Sequence, residues 1–378
     1  MKELRQNAEV SNLELFYDLI FAYAISRITT ILHLVHHEEI PGLYLGEYLI
    51  MFFMFWTIWT YQTVLVNRFF HENLQHTVFM LFDMFMVIIL SQSLNADFEA
   101  THLTFAGSTS ILLISIGIQY WLQSRKLTDQ KQLVVARGLY RLLFLSGLIG
   151  AATIVPWASY GVRVTVYVLS MVLANVGPIF LYRELTDFPA IFEHLTERYS
   201  LFTLLLFGEA VIAVASIVDV HDFNWLAIPF FLIIVALFMI YFVSYQGRVN
   251  RHKKTAGITL INVHYFIFVG LDLVTAATEL YLQHELIGWQ FAGLVSLGLA
   301  GFLCGILVMV LTYPNRPLTH SPWISGLGLL SFVVILGAVL LALSEVPVAA
   351  ILVLSGVLVL TSSCWWFYTN AHARDVIK

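Results

Sequence analysis

Charged residues are scarce in this sequence of 378 residues: Asp, Glu, Lys and Arg together make up 11% of it, against 59% for apolar residues. The mean hydropathy is +0.83. An average soluble domain carries about 25% charged residues, so this composition excludes an ordinary soluble protein. It predicts an all-α polytopic membrane protein instead.

Cysteine is also rare, and the common catalytic signatures are missing. The two cysteines, Cys304 and Cys364, both fall in apolar segments, so neither a disulfide framework nor a thiolate metal site is expected. The sequence contains no G-x-S-x-G, P-loop, C-x-x-C or H-E-x-x-H motif. We therefore predict no cofactor, no metal and no nucleic-acid partner, and we expect the partners to be the lipid bilayer and a small-molecule, lipid or ion substrate.

Apolar runs long enough to cross a bilayer occur twelve times. They cover about 12–36, 44–66, 74–95, 103–123, 133–155, 161–182, 198–218, 224–246, 257–282, 288–312, 323–344 and 347–369. The connections between these spans are short, so the sequence predicts no soluble domain.

Basic residues outside the spans are distributed very unequally between the two sides of the membrane. One side has only Arg163. The other side has Lys2, Arg5, Arg68, Arg125, Lys126, Lys131, Arg183, Arg198, Arg248, Arg251, Lys253, Lys254, Arg316, Arg374 and Lys378. Since cytoplasmic loops carry the excess of Lys and Arg, this split predicts that both termini are cytoplasmic.

Ionisable residues within the spans are concentrated in the odd-numbered ones. They are Glu14, Asp18, Arg27, His33, His76, Asp83, Arg137, Arg141, Glu209, His264, Asp272 and Glu279. Charges facing lipid are unfavourable, so these residues should converge on a shared interior or a water-filled cavity. Two interpretations stay open: a substrate or proton pathway, or buried ion pairs that serve only packing and specificity.

Glu14 and Asp18 are four residues apart and share a helix face, as do Arg137 and Arg141. We expect Asp18 to point into the bundle, where an arginine neutralises it. Arg137 and Arg141 are the preferred partners because they lie at a similar depth, and Arg198 is an alternative. The candidates for the pathway are Glu14, Asp18, Asp83, Arg137, Arg141, Glu209, His264 and Asp272.

His194, Glu197 and Arg198 stand at the start of the seventh span with helical spacing. One interpretation is a cytoplasmic gate or a cluster that binds lipid headgroups. The other is helix capping with interfacial salt bridges.

An internal repeat is indicated by LFYDLIFAYA (15–24) and LFGEAVIAVA (206–215), which share the pattern L-F-x-acid-x-x-x-A-x-A. His76 and Asp83 have approximate counterparts in His264 and Asp272. The pattern predicts two parallel six-helix halves, residues 1–183 and 184–378, in which Asp18 and Glu209 are equivalent. Transporters built from parallel halves bind substrate between them near the midplane.

Two of these segments resemble motifs of the bacterial low temperature requirement A family. ELFYDLIFAYAIS (14–26) is similar to that family's E-L-F-[FY]-D-L-[VI]-F start, and HLTERYSLFTLLLFGEAVIAV (194–214) to its H-x-x-E-R-[YF]-G-L-F-T segment and the L-G-E-[SA] that follows. A third segment, INVHYFIFVGLDL (261–273), matches the family's Y-x-H-x-x-[LI]-x-x-G-I stretch at His264. The resemblance implies a multi-pass protein of a bacterial plasma membrane. Val243 stands where many members have an Asp, which puts any chemistry that needs that acid in doubt.

The function best suited to these features is a secondary transporter or permeation protein with a central site lined by intramembrane carboxylates. One alternative is an intramembrane enzyme that acts on a lipid or lipid-linked substrate and uses the acids with His264 or His194 in proton transfer. The other alternative is a non-catalytic membrane scaffold or sensor.

Overall fold

The computed structural model describes residues 9–69, 73–94, 98–218, 221, 223–315 and 322–374. Twelve long helices account for most of the chain described. They are α1 (Asn12–Thr29), α2 (Gly42–Phe69), α3 (Leu74–Gln92), α4 (Phe98–Ser124), α5 (Gln130–Ala152), α6 (Tyr160–Val176), α7 (Phe192–Ser216), α8 (Ala227–Arg248), α9 (Ile258–Leu282), α10 (Gly288–Thr312), α11 (Pro322–Ala342) and α12 (Pro347–Arg374). A 3-10 turn, Gly177–Leu181, and a short helix, Tyr182–Asp187, continue α6.

The all-α membrane architecture predicted from the sequence is confirmed. Among the described residues, eleven helices are long and apolar enough to cross a membrane, with the continued α6 counted as one. The helix outside that set is α1, which carries three charged residues, Glu14, Asp18 and Arg27, in 18 positions. The membrane orientation stays a prediction, and four of its basic residues, Lys2, Arg5, Arg316 and Lys378, lie outside the described residues.

Local sequence sets where several helices begin and end. Ser11 and Glu14 form a reciprocal capping box at the start of α1, and Asn73 and Asp129 cap α3 and α5 through their side-chain oxygens. The predicted first span is too long, because α1 ends at Thr29. The α-helical hydrogen bonds stop there, because the Ile31 N–H donates to the Ile28 carbonyl oxygen at 3.0 Å and so forms a tighter turn.

The chain divides into two compact units. Unit 1 comprises residues 1–31, 43–199 and 254–257, and unit 2 comprises residues 32–42, 200–253 and 258–378. In unit 1, α4 packs against α3 and α5, α5 packs against α6, and α1 packs against α3. In unit 2, α10 packs against α9 and α11, and α12 packs against α8. The tandem repeat with halves 1–183 and 184–378 stays a prediction.

Glycines allow the backbones of α9 and α10 to approach closely in unit 2. A Cβ atom added to Gly270 would lie 2.4 Å from the carbonyl oxygen of Gly298 and 2.6 Å from the amide nitrogen of Phe302. Small residues serve the same purpose at many helix crossings in membranes, where close packing replaces the hydrophobic effect as the driving force.

Candidate functional site

Asp18 occupies the centre of a fully buried polar cluster in unit 1. Its Oδ1 accepts hydrogen bonds from the indole Nε1 of Trp59 at 2.8 Å and from Nη2 of Arg198 at 2.8 Å. Arg198 Nε lies 3.2 Å from both carboxylate oxygens. Asp18 and Arg198 are both 0% exposed. The prediction that Asp18 points into the protein and pairs with an arginine is therefore confirmed.

The prediction that this arginine is Arg137 or Arg141 is wrong, however. Arg137 and Arg141 are exposed side chains on α5. That helix packs through its other face, which is formed by residues such as Val135, Leu139 and Leu143. The arginine that reaches Asp18 is Arg198, which lies in the second turn of α7.

Glu14 has two roles, one for each of its oxygens. Its Oε2 accepts a hydrogen bond from the backbone N–H of Ser11 at 2.8 Å and completes the capping box of α1. Its Oε1 lies 2.9 Å from His194 Nε2 and 3.7 Å from Arg198 Nη1. Glu14 thus joins the start of α1 to two residues of α7, one of which, Arg198, also binds Asp18.

Asn67 fixes the orientation of the His194 ring. The Asn67 Oδ1 accepts the backbone N–H of Ile191 at 3.0 Å, so the amide NH₂ group is the one that faces His194 Nδ1, at 2.9 Å. In the neutral imidazole, Nδ1 is then the acceptor and Nε2, which lies 2.9 Å from Glu14 Oε1, carries the proton. The result is a chain of polar contacts from the Ile191 backbone through Asn67 and His194 to Glu14.

Asp83 on α3 is a third completely buried carboxyl group, and its hydrogen-bond partners are neutral. Ser115 Oγ donates to Oδ1 at 2.5 Å and Gln119 Nε2 donates to Oδ2 at 2.7 Å. Gln62 Nε2 lies 3.4 Å from Gln119 Oε1 and extends the chain to α2. Among the described residues Asp83 forms no ion pair.

Tyr17 is a buried residue of α1 near the carboxyl groups of Asp18 and Asp83. It interacts electrostatically with Asp83, Arg198 and Asp18, and the guanidinium carbon of Arg198 is 5.9 Å from the Tyr17 ring centroid. The Tyr17 hydroxyl is buried and has no hydrogen-bond partner within the described part of the chain. A ligand or a water molecule with one donor or acceptor would satisfy it.

Aromatic rings enclose the cluster on the side of α2 and α7. Trp59 stacks on Trp56 at a centroid distance of 5.6 Å, and Tyr199 meets Trp59 edge-on at 4.8 Å. The Arg198 guanidinium carbon lies 5.5 Å from the Trp59 ring centroid. This low-polarity wall strengthens each charge interaction in the cluster, and it makes an unneutralised charge unfavourable.

The charges of the cluster do not balance unless it binds protons. Glu14 and Asp18 lie beside one guanidinium, that of Arg198, and the buried carboxyl group of Asp83 has no ion pair among the described residues. An uncompensated buried carboxylate neutralises itself by binding a proton. To neutralise these described charges, two protons are needed on the carboxyl groups or on the neighbouring imidazoles, of which His194 is one.

The remaining candidates lie in unit 2 or at its boundary. Glu209 on α7 and Asp272 on α9 are half-buried, and Glu197 is half-buried in unit 1. His264 is buried, with Nδ1 2.7 Å from the Leu260 carbonyl oxygen and Nε2 3.0 Å from the Tyr241 hydroxyl. Both ring nitrogens of His264 therefore have protein partners.

Sequence reasoning missed the uncharged members of the cluster. Trp59, Asn67, Ser115 and Gln119 each bind one of its ionisable residues directly. A signal was available for two of them, because amide side chains are unfavourable in apolar helices unless they have a buried partner. Over the described residues, no group of three His, Cys, Asp or Glu side chains is arranged to hold a metal ion.

The comparisons with known proteins match nearly the whole chain. The family described as "Bacterial low temperature requirement A protein (LtrA)" matches residues 9–362, which includes every residue of the cluster. The chain is also similar to the uncharacterised protein RA0937 of Rhizobium meliloti (strain 1021). The two are 24% identical over 401 residues, which cover 99% of this chain and 92% of that protein.

Proposed function

The chain belongs to the bacterial low temperature requirement A family, and we propose that it is a secondary transporter or permeation protein of the bacterial plasma membrane, with a proton-binding site at Glu14, Asp18, Asp83, His194 and Arg198. We place Asp83 at the centre of the proton chemistry, since its hydrogen-bond donors are uncharged. Asp18, by contrast, forms an ion pair with Arg198, which neutralises its charge.

The observation that carries this proposal is the excess of buried carboxyl groups over guanidinium groups. A purely structural ion pair needs one acid and one base, as Asp18 and Arg198 provide. Two further acids in the same buried site add dissociable protons without adding a second guanidinium. Protons held inside a membrane protein and released by a change in structure are the basis of coupling to a proton gradient.

Unsatisfied polar atoms beside the cluster support a binding site over a scaffold. Tyr17 Oη, Gln62 Oε1, Thr63 Oγ1 and Arg198 Nη1 are buried and have no hydrogen-bond partner among the described residues, although Arg198 Nη1 lies 3.7 Å from Glu14. Buried polar networks that serve only structure satisfy nearly all of their groups. Four open donors or acceptors suit a polar guest, such as a substrate, an ion or water.

His264 gives little support to the alternative hypothesis that the protein is an intramembrane enzyme. Its ring nitrogens contact Tyr241 and the Leu260 carbonyl, so proton transfer to a substrate would first require these contacts to break. We therefore favour transport or permeation.

Proteoliposomes that contain a pH-sensitive dye test this function. The full chain is reconstituted, and amino acids, carboxylic acids and monovalent cations are added singly while the internal pH is recorded. We expect at least one solute to move protons in the wild type, Asp83→Asn to abolish that movement, and Arg137→Gln to leave it unchanged. Proton movement that survives Asp83→Asn, or its absence from folded wild-type protein with every solute, contradicts the proposal.

A further inference from the structure

Unit 2 contains a second feature that the proton cluster does not use. A cavity of about 740 Å³ lies between α8, α10, α11 and α12, and its lining is mostly apolar, with Phe332 and Leu360 among its larger side chains. This volume is within the range of sites that hold ligands of drug size or larger. Leu360 and Cys364, one turn apart on α12, line the cavity and are exposed, so the cavity opens on the outer surface of this helix.

Among the described residues that line this cavity, Arg248 is the one cation. Its guanidinium carbon lies 4.5 Å from the ring centroid of Tyr368 and 5.5 Å from that of Trp365. Trp365 is held in place by donation from its Nε1 to Ser244 Oγ at 2.9 Å. The arginine is thus packed between fixed aromatic rings rather than free in solvent.

Arg248 forms no ion pair with a carboxylate among the described residues. Its Nε and Nη2 atoms are buried and have no hydrogen-bond partner among the residues that the structure describes. The sequence has no Asp or Glu at 223–271, 286–344 or 346–374, a set that contains every residue lining the cavity. An anion from outside the chain would supply the missing acceptor.

Arg248 lies at the level where α8 and α10 end. It is the last residue of α8, and Asn250 N–H donates to the Tyr313 carbonyl at 2.8 Å, which holds the end of α8 to the end of α10. Trp365 comes 18 residues after the start of α12, or about 27 Å along its axis, close to the thickness of the hydrocarbon layer. Arg251 and Lys253 follow in the adjacent loop, so this end of the cavity is basic.

From these observations we propose that the cavity binds an anionic phospholipid from the bilayer. Its acyl chains would fill the apolar volume, and its phosphate would pair with the guanidinium of Arg248. A phospholipid fits better than a soluble anion because the cavity opens toward lipid and is lined mainly by hydrocarbon. This site is independent of the proton cluster in unit 1, so either proposal can fail alone.

Native mass spectrometry of the full chain, titrated with defined lipids, tests the site. The probes are phosphatidylglycerol, phosphatidylcholine with the same acyl chains, oleate and inorganic phosphate. We expect phosphatidylglycerol to bind about tenfold more tightly than phosphatidylcholine, and Arg248→Gln to remove that preference. Cys364→Trp, which fills the open side of the cavity, should weaken both phospholipids, and Arg137→Gln should change neither.

Three results would overturn this proposal. The first is an equal preference for phosphatidylglycerol in Arg248→Gln and wild type. The second is binding of oleate or inorganic phosphate at least as tight as that of phosphatidylglycerol. The third is a Cys364→Trp variant that binds lipid as the wild type does, which matters most if Arg248→Gln does not fold.

Discussion

The Nη2 atom of Arg198 lies 2.8 Å from Oδ1 of Asp18, and both side chains are completely buried. The two residues are 180 positions apart in the sequence. Their contact therefore joins the first helix of unit 1 to the start of α7, and it holds the other members of the cluster around it.

Breaking this pair from either side should destabilise the protein strongly. We expect Asp18→Asn and Arg198→Gln each to lower the free energy of unfolding by about 3–5 kcal/mol, because the remaining charge is left buried without a partner. The double variant should lose less than the sum of the two single losses. Unfolding in mixed micelles with increasing denaturing detergent measures all three.

The control for that cycle is Arg137→Gln. Arg137 is exposed on α5, so this change should alter the unfolding free energy by less than about 0.5 kcal/mol, and it should be additive with Asp18→Asn. Strong coupling between Arg137 and Asp18 would instead support the ion pair that the sequence predicts between these two residues.

The double role of Glu14 predicts different effects for two substitutions. Glu14→Gln keeps an oxygen for the backbone N–H of Ser11 and loses only the charge beside His194. Glu14→Ala loses both contacts and should be less stable than Glu14→Gln by about 1 kcal/mol, the usual contribution of a helix cap. Equal unfolding free energies for the two variants would mean that the capping box contributes nothing.

The close crossing of α9 and α10 predicts a strong effect at Gly270. An alanine there would contact the backbone of Gly298 and Phe302, and it should cost about 1–3 kcal/mol through strain. Gly293 lies on α10, the other helix of this crossing. It has no atom within 4 Å of an added Cβ, so Gly293→Ala should be neutral or mildly stabilising. Thermal unfolding in detergent measures the melting temperatures of Gly270→Ala and Gly293→Ala. Similar melting temperatures for the two variants would contradict the close approach of α9 and α10 at Gly270.

The distribution of Lys and Arg predicts that Asn250 faces the cytoplasm. A single cysteine at this position, with Cys304 and Cys364 replaced by alanine, should react with a membrane-impermeant maleimide only after the cells are opened. Labelling of intact cells would place this loop outside and reverse the predicted orientation.

The sequence was sufficient for the helices and for the burial of Asp18. Long apolar runs interrupted by few charges leave little choice but membrane-spanning helices, and a carboxylate at that depth must point inward. The helix boundaries needed local backbone information, as the tight turn between Ile28 and Ile31 at the end of α1 illustrates.

The partner of Asp18 could not be read from the sequence. On α5 both faces are largely apolar, so periodicity does not tell whether the face of Arg137 or that of Leu139 packs inward. Arg198 stands in the second turn of α7 and resembles an interfacial residue in the sequence, although in the folded chain it is 0% exposed. Such choices depend on contacts between distant helices, which a single sequence does not encode visibly.

The central claim is that the cluster holds an exchangeable proton on Asp83, and infrared difference spectroscopy tests it most directly. Spectra of the reconstituted wild type at acidic and alkaline pH are subtracted, in H₂O and in D₂O. We expect a band from a protonated carboxyl group that disappears at alkaline pH, shifts in D₂O, is lost in Asp83→Asn and is retained in Arg137→Gln. A wild-type spectrum without such a band, or an Asp83→Asn spectrum that keeps it, would contradict the claim.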